Sequence, residues 1–394
     1  MSSDFRQRER ERQSSQVSAA LLLWMKLCED PVIVLCRVRY SIIVMRTVLI
    51  TGANGFLGNA VAKSFAYAGW NVFGLIRRET AAADLLMHEV IPVIGSASDL
   101  SFVESLPTID VVINTTEDHS NYLDHFHHNI ELFKILQRHR SRTAAAKSAK
   151  LLVIFTSGCK DYGMTGREGD AKLSPHTEMS PLNPPGGLRA RTETSLTVLG
   201  HKEFDAVLTR PTTFYGSSGT YYAQLFQMAR EAAQDKAQSV ELHVNASPNS
   251  IMHGTHVYDV ASAYVAIADA PRANVTREVF NVSSHHYETA RQVADAVEKS
   301  YGIKVIFDGS KEWDDSKLDY FQLLFDFTQW VDSTKLRRVT GWTDRLPLLT
   351  ENFDRYRAVY EAFENAGHER VQLMQSKSKR EGGIDDHKAG PAQL

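Results

Sequence analysis

Cysteine is scarce in this sequence: Cys28, Cys36 and Cys159 are the only three among 394 residues. An odd number without metal-type spacing excludes a disulfide framework and a zinc site, and a reducing, cytoplasmic compartment fits that usage. A surplus of positive charge is also missing. Lys and Arg number 44 against 47 Asp and Glu, a formal net charge of −3, so the chain lacks the phosphate-neutralising excess of a dedicated nucleic-acid binder. No nucleic acid is expected as a partner. Uninterrupted apolar runs are short as well. The stretch "LLLWMKLCEDPVIVLCRVRYSIIV" is broken by Lys26, Glu29, Asp30, Pro31, Arg37 and Arg39, whereas a membrane span needs about 20 apolar residues with few charges. Residues 1–44 therefore read as a poorly ordered N-terminal extension ahead of Met45, with a targeting or membrane-surface role as the alternative.

What is present from Met45 onward is a regular alternation of short apolar runs and amphipathic stretches, the pattern of a parallel sheet covered by helices. Strands are predicted at 47–51, 71–76, 90–94, 111–115, 151–156 and 206–210, and helices at 58–68, 79–87, 101–106, 121–139 and 188–199. Ser101 and Glu104 are spaced as a capping box for the third helix. This predicts an α/β fold, a doubly wound parallel Rossmann-type sheet over residues 45–215. Beyond Gly216 the alternation loosens into a helix over 220–233, a strand at 240–244 and a returning strand at 279–282. That implies a smaller C-terminal substrate lobe over 216–364, interleaved with returning sheet elements. Residues 365–394 are polar and aperiodic, and are expected to form a disordered tail.

The stretch "VLITGANGFLG" sets Gly52, Gly55 and Gly58 directly after the first strand and at the mouth of a helix. Such glycines permit a tight turn and a close backbone approach, so a dinucleotide diphosphate can rest on the amides of Asn54, Gly55, Phe56, Leu57 and Gly58 at the positive end of the helix. The spacing Thr51-Gly-x-x-Gly-x-x-Gly58 resembles the extended short-chain dehydrogenase/reductase family of NAD-dependent epimerases, dehydratases and related reductases. Further stretches agree: "VVINTTE" (111–117), Asn129 in "HNIELFKIL", "LTRPTTFYG" (208–216), "HVYDVASAYVAI" (256–267) and "VDSTKLRRVTGW" (331–342). The resemblance runs from about Met45 to about Phe363. It implies a nicotinamide dinucleotide cofactor, a small-molecule substrate and a homodimer formed through the helices after the fourth and fifth strands. It also places Asn114 beneath the nicotinamide ribose.

Cofactor choice follows from charge. An acidic side chain about 20 residues past the glycines bonds the adenosine ribose of NAD, whereas Arg there accepts a 2′-phosphate. Arg77 and Arg78 occupy that place, so NADP(H) is favoured over NAD(H). The family's adenine-side Gly-Asp-Leu is here Gly95-Ser96-Ala97, which weakens that contact to whatever Ser96 supplies.

The family's catalyst is absent. In the resembled enzymes a Tyr phenol moves the proton, a Lys four residues later lowers its pKa, and a Ser or Thr bonds the reacting oxygen. No Tyr in this chain has a Lys four residues downstream. Aligning "NPPGGLRARTE" puts Pro185 and Arg189 in the two places. Arg189 can bind cofactor or an anion but cannot relay protons. Gly158 stands where the reactive Ser belongs, and the candidates left in "FTSGCKDYG" are Thr156, Ser157, Lys160 and Tyr162. Turned inward, Lys160 would lower the pKa of Cys159 or Tyr162; turned outward, it and Asp161 form a solvated pair. His119 is a further candidate proton carrier, and no metal is expected among the neighbouring histidines. Three readings remain: an NADP(H)-dependent oxidoreductase or epimerase/dehydratase-like enzyme with a non-standard proton donor, a catalytically degenerate NADP(H)-binding sensor or partner-binding protein, and a cofactor-independent isomerase or cyclase.

Overall fold

The computed structural model describes residues 46–118, 121–142, 149–218, 221–234, 240–312 and 320–378. The N-terminal extension, Cys28, Cys36 and His119 lie outside these residues.

The first half of the chain runs β1 (Thr47–Thr51), α1 (Phe56–Tyr67), β2 (Asn71–Ile76), α2 (Ala82–Leu86), β3 (Ile91–Ile94), β4 (Val111–Asn114), α3 (Tyr122–Ser141), β5 (Leu152–Thr156), α4 (Arg189–Leu199) and β6 (Asp205–Pro211). The second half contributes β7 (Thr213–Tyr215), α5 (Tyr221–Gln234), β8 (Glu241–Val244), β9 (Ile251–Met252), β10 (Gly254–His256), α6 (Val257–Asp269), α7 (Arg272–Val275) and β11 (Val279–Val282). It closes with β12 (Glu288–Thr289), α8 (Ala290–Tyr301), β13 (Lys304–Phe307), α9 (Tyr320–Phe325), α10 (Thr334–Thr340), α11 (Phe353–Asn365) and α12 (Glu369–Ser378).

Seven strands pair in parallel in the order β11-β6-β5-β4-β1-β2-β3. The chain winds outward from β1 through β2 to β3, then returns to build β4, β5 and β6 on the other side. The switch point between β1 and β4 opens a crevice at the carboxyl ends of those strands, the place where open α/β sheets take ligands. A central parallel strand is covered on both faces, which is why "TVLIT" is buried at all five positions. Val48 and Ile50 face the core shared with α1 and α6, while Leu49 faces the core shared with α3 and α4. A separate apolar cluster fills the second lobe, built from Tyr222, Leu225 and Phe226 of α5, Val293 and Val297 of α8, and Phe353 and Tyr360 of α11.

Two expectations change. Ser101 does not cap its helix: it lies inside a short 3-10 turn, Ser101–Ser105, and the Asp99 carboxylate instead accepts its amide at 3.1 Å. The capping box of this fold stands at Thr289 and Gln292, at the start of α8. Within the expected tail of 365–394, residues 379–394 lie outside the described residues, and Glu369–Ser378 form the ten-residue helix α12. Its Val371 is buried in the second-lobe core, and Gln375 bonds Glu364 of α11. The apolar positions Val371, Leu373 and Met374 do not repeat at a helical period of 3.6, which is why the sequence reads there as coil.

Candidate functional site

The glycine loop leaves β1 and closes on itself before α1 begins. Gly52 holds φ +67°, a left-handed conformation that disfavours a side chain, and its carbonyl accepts the Gly55 amide at 2.7 Å. A Cβ on Gly58 would lie 2.1 Å from the Gly52 oxygen and 2.6 Å from Thr115 Oγ1. A Cβ on Gly55 would lie 2.7 Å from the same oxygen. The absence of side chains is therefore a packing requirement here. Gly55 caps α1 without a side chain, and the first turn carries no acidic residue. Helix geometry leaves the amides of Phe56, Leu57 and Gly58 without intrahelical acceptors at the positive end of the dipole. A bare amide cradle with no competing carboxylate fits a diphosphate.

The flanks are arranged around that cradle. Arg77 is exposed just beyond β2, and Arg78 pairs with Glu369 of α12. Ser96 bridges to Asp99, and its hydroxyl lies 2.9 Å from that of Ser98. At the end of β4, buried Asn114 donates to Asn129 Oδ1 at 2.8 Å and to Thr51 Oγ1 at 3.2 Å. These bonds tie α3 to the two strands that border the crevice. Thr115 donates to the Thr51 carbonyl at 2.6 Å, closing the seam beneath the loop.

The four candidates at the end of β5 and just beyond it all have their polar atoms bonded inside the protein. Thr156 Oγ1 lies 2.8 Å from the Tyr264 hydroxyl, which also meets Thr209. Ser157 donates to Asp161 at 2.5 Å. Tyr162 is buried, donates to Asn281 at 2.8 Å, receives a bond from Arg210 and stacks on His176. Lys160 does turn inward, but toward the second lobe, where it donates to the Leu323 carbonyl at 2.8 Å and sits over the Phe327 ring. Burial brings its own pKa down to about 7, with Cys159 opposing the shift and Arg191 adding to it. The expected lowering of the Cys159 thiol and Tyr162 phenol is reversed, since burial pushes both up. Nor is Asp161 a solvated partner of Lys160, because its side chain is wholly enclosed.

Asp161 is instead the hub that sequence reasoning missed. Arg191 Nη2 donates to its Oδ1 at 2.7 Å, Thr192 donates to the same oxygen at 2.9 Å, and Arg210 Nε lies 3.3 Å from Oδ2. Burial alone would raise this carboxyl; the Arg191 charge, the bonds from Ser157 and Arg191, and Arg210 outweigh it and hold it below the usual Asp range. The guanidinium of Arg191 also explains Gly158. A Cβ there would come within 3.3 Å of Arg191 Nη2, a tight approach to a guanidinium that arrives from α4. Arg191 reaches on to Glu117, just past β4, at 3.3 Å.

Two phenols share those charges. Tyr122, at the start of α3, has its pKa raised by burial and then by Glu117, with Arg191 opposing. Tyr221, at the start of α5, is pushed up to about 12 by burial and Glu117, again against Arg191. Glu117, Tyr122, Arg191 and Tyr221 thus come from four separate elements at the carboxyl edge of the sheet. The one sequence signal for them is Arg191, two residues past the alignment position that drew attention to Arg189. Arg189 itself stands exposed. His125 bonds the Thr116 carbonyl, and His253 holds the Ser284 carbonyl and the Val331 amide. Among the described residues no group of three or more His, Cys, Asp or Glu is placed to hold a metal, and no helix is long and apolar enough to cross a membrane.

Solved structures with this fold include a dTDP-glucose 4,6-dehydratase from Bacillus anthracis in complex with NAD, at 15% identity and TM-score 0.62, covering 81% of this chain and 98% of that one. A UDP-glucose 4-epimerase from Bifidobacterium longum in complex with NAD+ and UDP gives 18% identity and TM-score 0.58, covering 82% and 99%. A UDP-glucuronic acid 4-epimerase from Bacillus cereus gives 17% and 0.59, covering 80% and 99%. No curated protein matches the sequence. The profile of the NAD dependent epimerase/dehydratase family matches residues 48–283, more than half of the chain and all of the cradle, crevice and Asp161 hub described above; the chain belongs to that family.

Proposed function

We propose that this protein is an NADP(H)-binding, epimerase/dehydratase-like oxidoreductase that acts on a small carbonyl or hydroxyl compound without the family's Tyr-Lys pair. The observation that carries this reading is the cradle at Gly52, Gly55 and Gly58, where every added Cβ would strike backbone or a packed threonine. The amides of Phe56, Leu57 and Gly58 hold the diphosphate, Arg77 meets the adenosine 2′-phosphate, and Asn114 underlies the nicotinamide ribose. The coenzyme, when bound, supplies the hydride donor or acceptor. Similar structures are described with NAD and, in two cases, with UDP or UDP-glucuronic acid, so a hydroxyl or carbonyl carried on a sugar nucleotide belongs to the substrate class considered.

The proton-handling centre moves away from Thr156, Ser157, Lys160 and Tyr162, whose polar atoms are spent on interior bonds. Arg191 is itself held by Asp161 and Glu117, so it orders the site, and Tyr122 and Tyr221 at the same edge of the sheet are the phenols left to donate a proton. The coenzyme preference has a direct test. Arg77 is exposed, so Arg77→Ala should fold normally. It should lose a charge-assisted contact of about 1.5–3 kcal/mol, weakening NADPH by roughly 10- to 100-fold while leaving NADH nearly unchanged. Equal effects on both coenzymes, read by fluorescence of the reduced nicotinamide, would remove the NADP assignment.

A second reading is favoured by the same interior bonds: a protein that binds the dinucleotide and reports it without turnover. Protein saturated with NADPH that oxidises none of a broad carbonyl panel supports this second reading. Reproducible hydride transfer that falls in Tyr221→Phe or Tyr122→Phe supports the first.

A further inference from the structure

The segment expected to be a disordered tail returns to the cofactor loop. Arg370 of α12 donates to the backbone carbonyl of Asn54, inside the glycine loop, and its guanidinium lies 5.8 Å from the centroid of the Phe56 ring. Phe56 is the first residue of α1, so this cation stands beside the helix end that the diphosphate needs. Its Nη1 is buried without a hydrogen-bond partner among the described residues. A buried guanidinium nitrogen left without an acceptor is costly, and an anion is one group that would satisfy it.

The surroundings have the same polarity. Glu369, next in the chain, pairs with Arg78 just beyond β2, so α12 spans from the glycine loop to the ribose-binding end of the site. Lys63 of α1 lies near enough for its pKa to be lowered, first by burial and also by Arg370. Burial likewise brings Arg370 itself down to about 10, with Asp84 and Glu369 opposing. His368 is held toward its neutral form by burial. Among the described residues, the acidic groups that act on Lys63 and Arg370 are Asp84 and Glu369, Glu369 also pairs with Arg78, and exposed Arg77 adds a further positive charge. The helix is anchored independently of any ligand, through Val371 in the second-lobe core and Gln375 on Glu364.

We infer that α12 is a wall of the dinucleotide site and that Arg370 binds a phosphate of the coenzyme, alongside the amides of the glycine loop. This rests on the dinucleotide-binding reading above and adds to it a cation from outside the residues that the family profile spans. Arg is suited to the task because its planar fork can keep one bond to the Asn54 carbonyl while turning Nη1 to a phosphate oxygen.

The test is a titration of the full chain with NADPH, followed by reduced-nicotinamide fluorescence at about 50 and about 300 mM salt, for the native protein, Arg370→Ala and Arg370→Lys. Thermal melts of each without ligand confirm that the helix remains docked. Arg370→Ala should weaken NADPH at least tenfold at low salt and flatten the salt dependence, since one phosphate contact is gone. Arg370→Lys should keep the salt dependence while losing part of the affinity. A native protein that binds NADPH tightly together with an Arg370→Ala variant of equal affinity and equal salt dependence overturns the inference and leaves the dinucleotide reading standing. Absence of binding by the native protein overturns both. Weakening by alanine with an unchanged salt dependence would assign Arg370 to loop packing and also overturn the inference.

Discussion

Gly58→Ala is expected to abolish coenzyme binding at concentrations that saturate the native protein. The added methyl has nowhere to go, because the Gly52 carbonyl would lie 2.1 Å from it and Thr115 Oγ1 2.6 Å. The first of these is backbone and cannot rotate away, so the loop must open. Opening withdraws the Gly58 amide and tilts those of Phe56 and Leu57. Loss of one or two charge-assisted bonds, each about 1.5–3 kcal/mol, amounts to a weakening of roughly 10- to 10,000-fold. Overpacking should also lower stability by about 1–3 kcal/mol. Gly200→Ala is the matched control, since a Cβ there meets only the Thr197 carbonyl at 3.7 Å, at the end of α4. It should bind and melt as the native protein does.

Asp161→Ala should be the most destabilising single change in the site. It leaves Arg191 and Arg210, with side chains 11% and 2% exposed, around an empty space where the carboxylate stood. Breaking a buried ion pair from one side costs about 3–5 kcal/mol, a large part of the roughly 5–15 kcal/mol that holds a domain folded. The pH dependence follows from the lowered pKa of Asp161. An acid whose folded pKa lies below its unfolded value adds stability above the unfolded value, about 3.9 for Asp, and loses it as the pH falls through the folded one. The native protein should therefore lose stability below about pH 4 more steeply than Asp161→Asn. Denaturant melts from pH 7 down to pH 2 read this directly. Parallel acid limbs in the two proteins would mean that Asp161 is not charged in the folded state.

Much of the scaffold was legible because its signals are local. The run "TVLIT" is buried on both faces, so it is apolar throughout, and its boundaries could be read to the residue. The glycine trio was equally clear, since a strand, three glycines and a helix follow one another without a gap. The returning strand Val279–Val282 was visible as a short apolar run, and it joins the sheet beside β6. The centre was less legible. Nothing in "SGCKDYG" reveals that Asp161 turns inward while Lys160 crosses to Leu323, because the charged partners of Asp161 lie about 30 and 50 residues away, at Arg191 and Arg210. Nor does the sequence around Gly158 reveal that the Arg191 guanidinium lies close against it. The helix α12 escaped notice because it docks through Val371 and through polar contacts that carry no periodicity.

The functional reading depends on the amides at the opening of α1 gripping a diphosphate. Calorimetric titration of the folded 394-residue chain with NADPH, NADP+, NADH and NAD+ measures that grip most directly. The account requires saturable one-to-one binding, tighter for the 2′-phosphorylated pair than for the other. A melt proving the protein folded, together with no heat and no ligand-induced rise in melting temperature for any of the four, would contradict it.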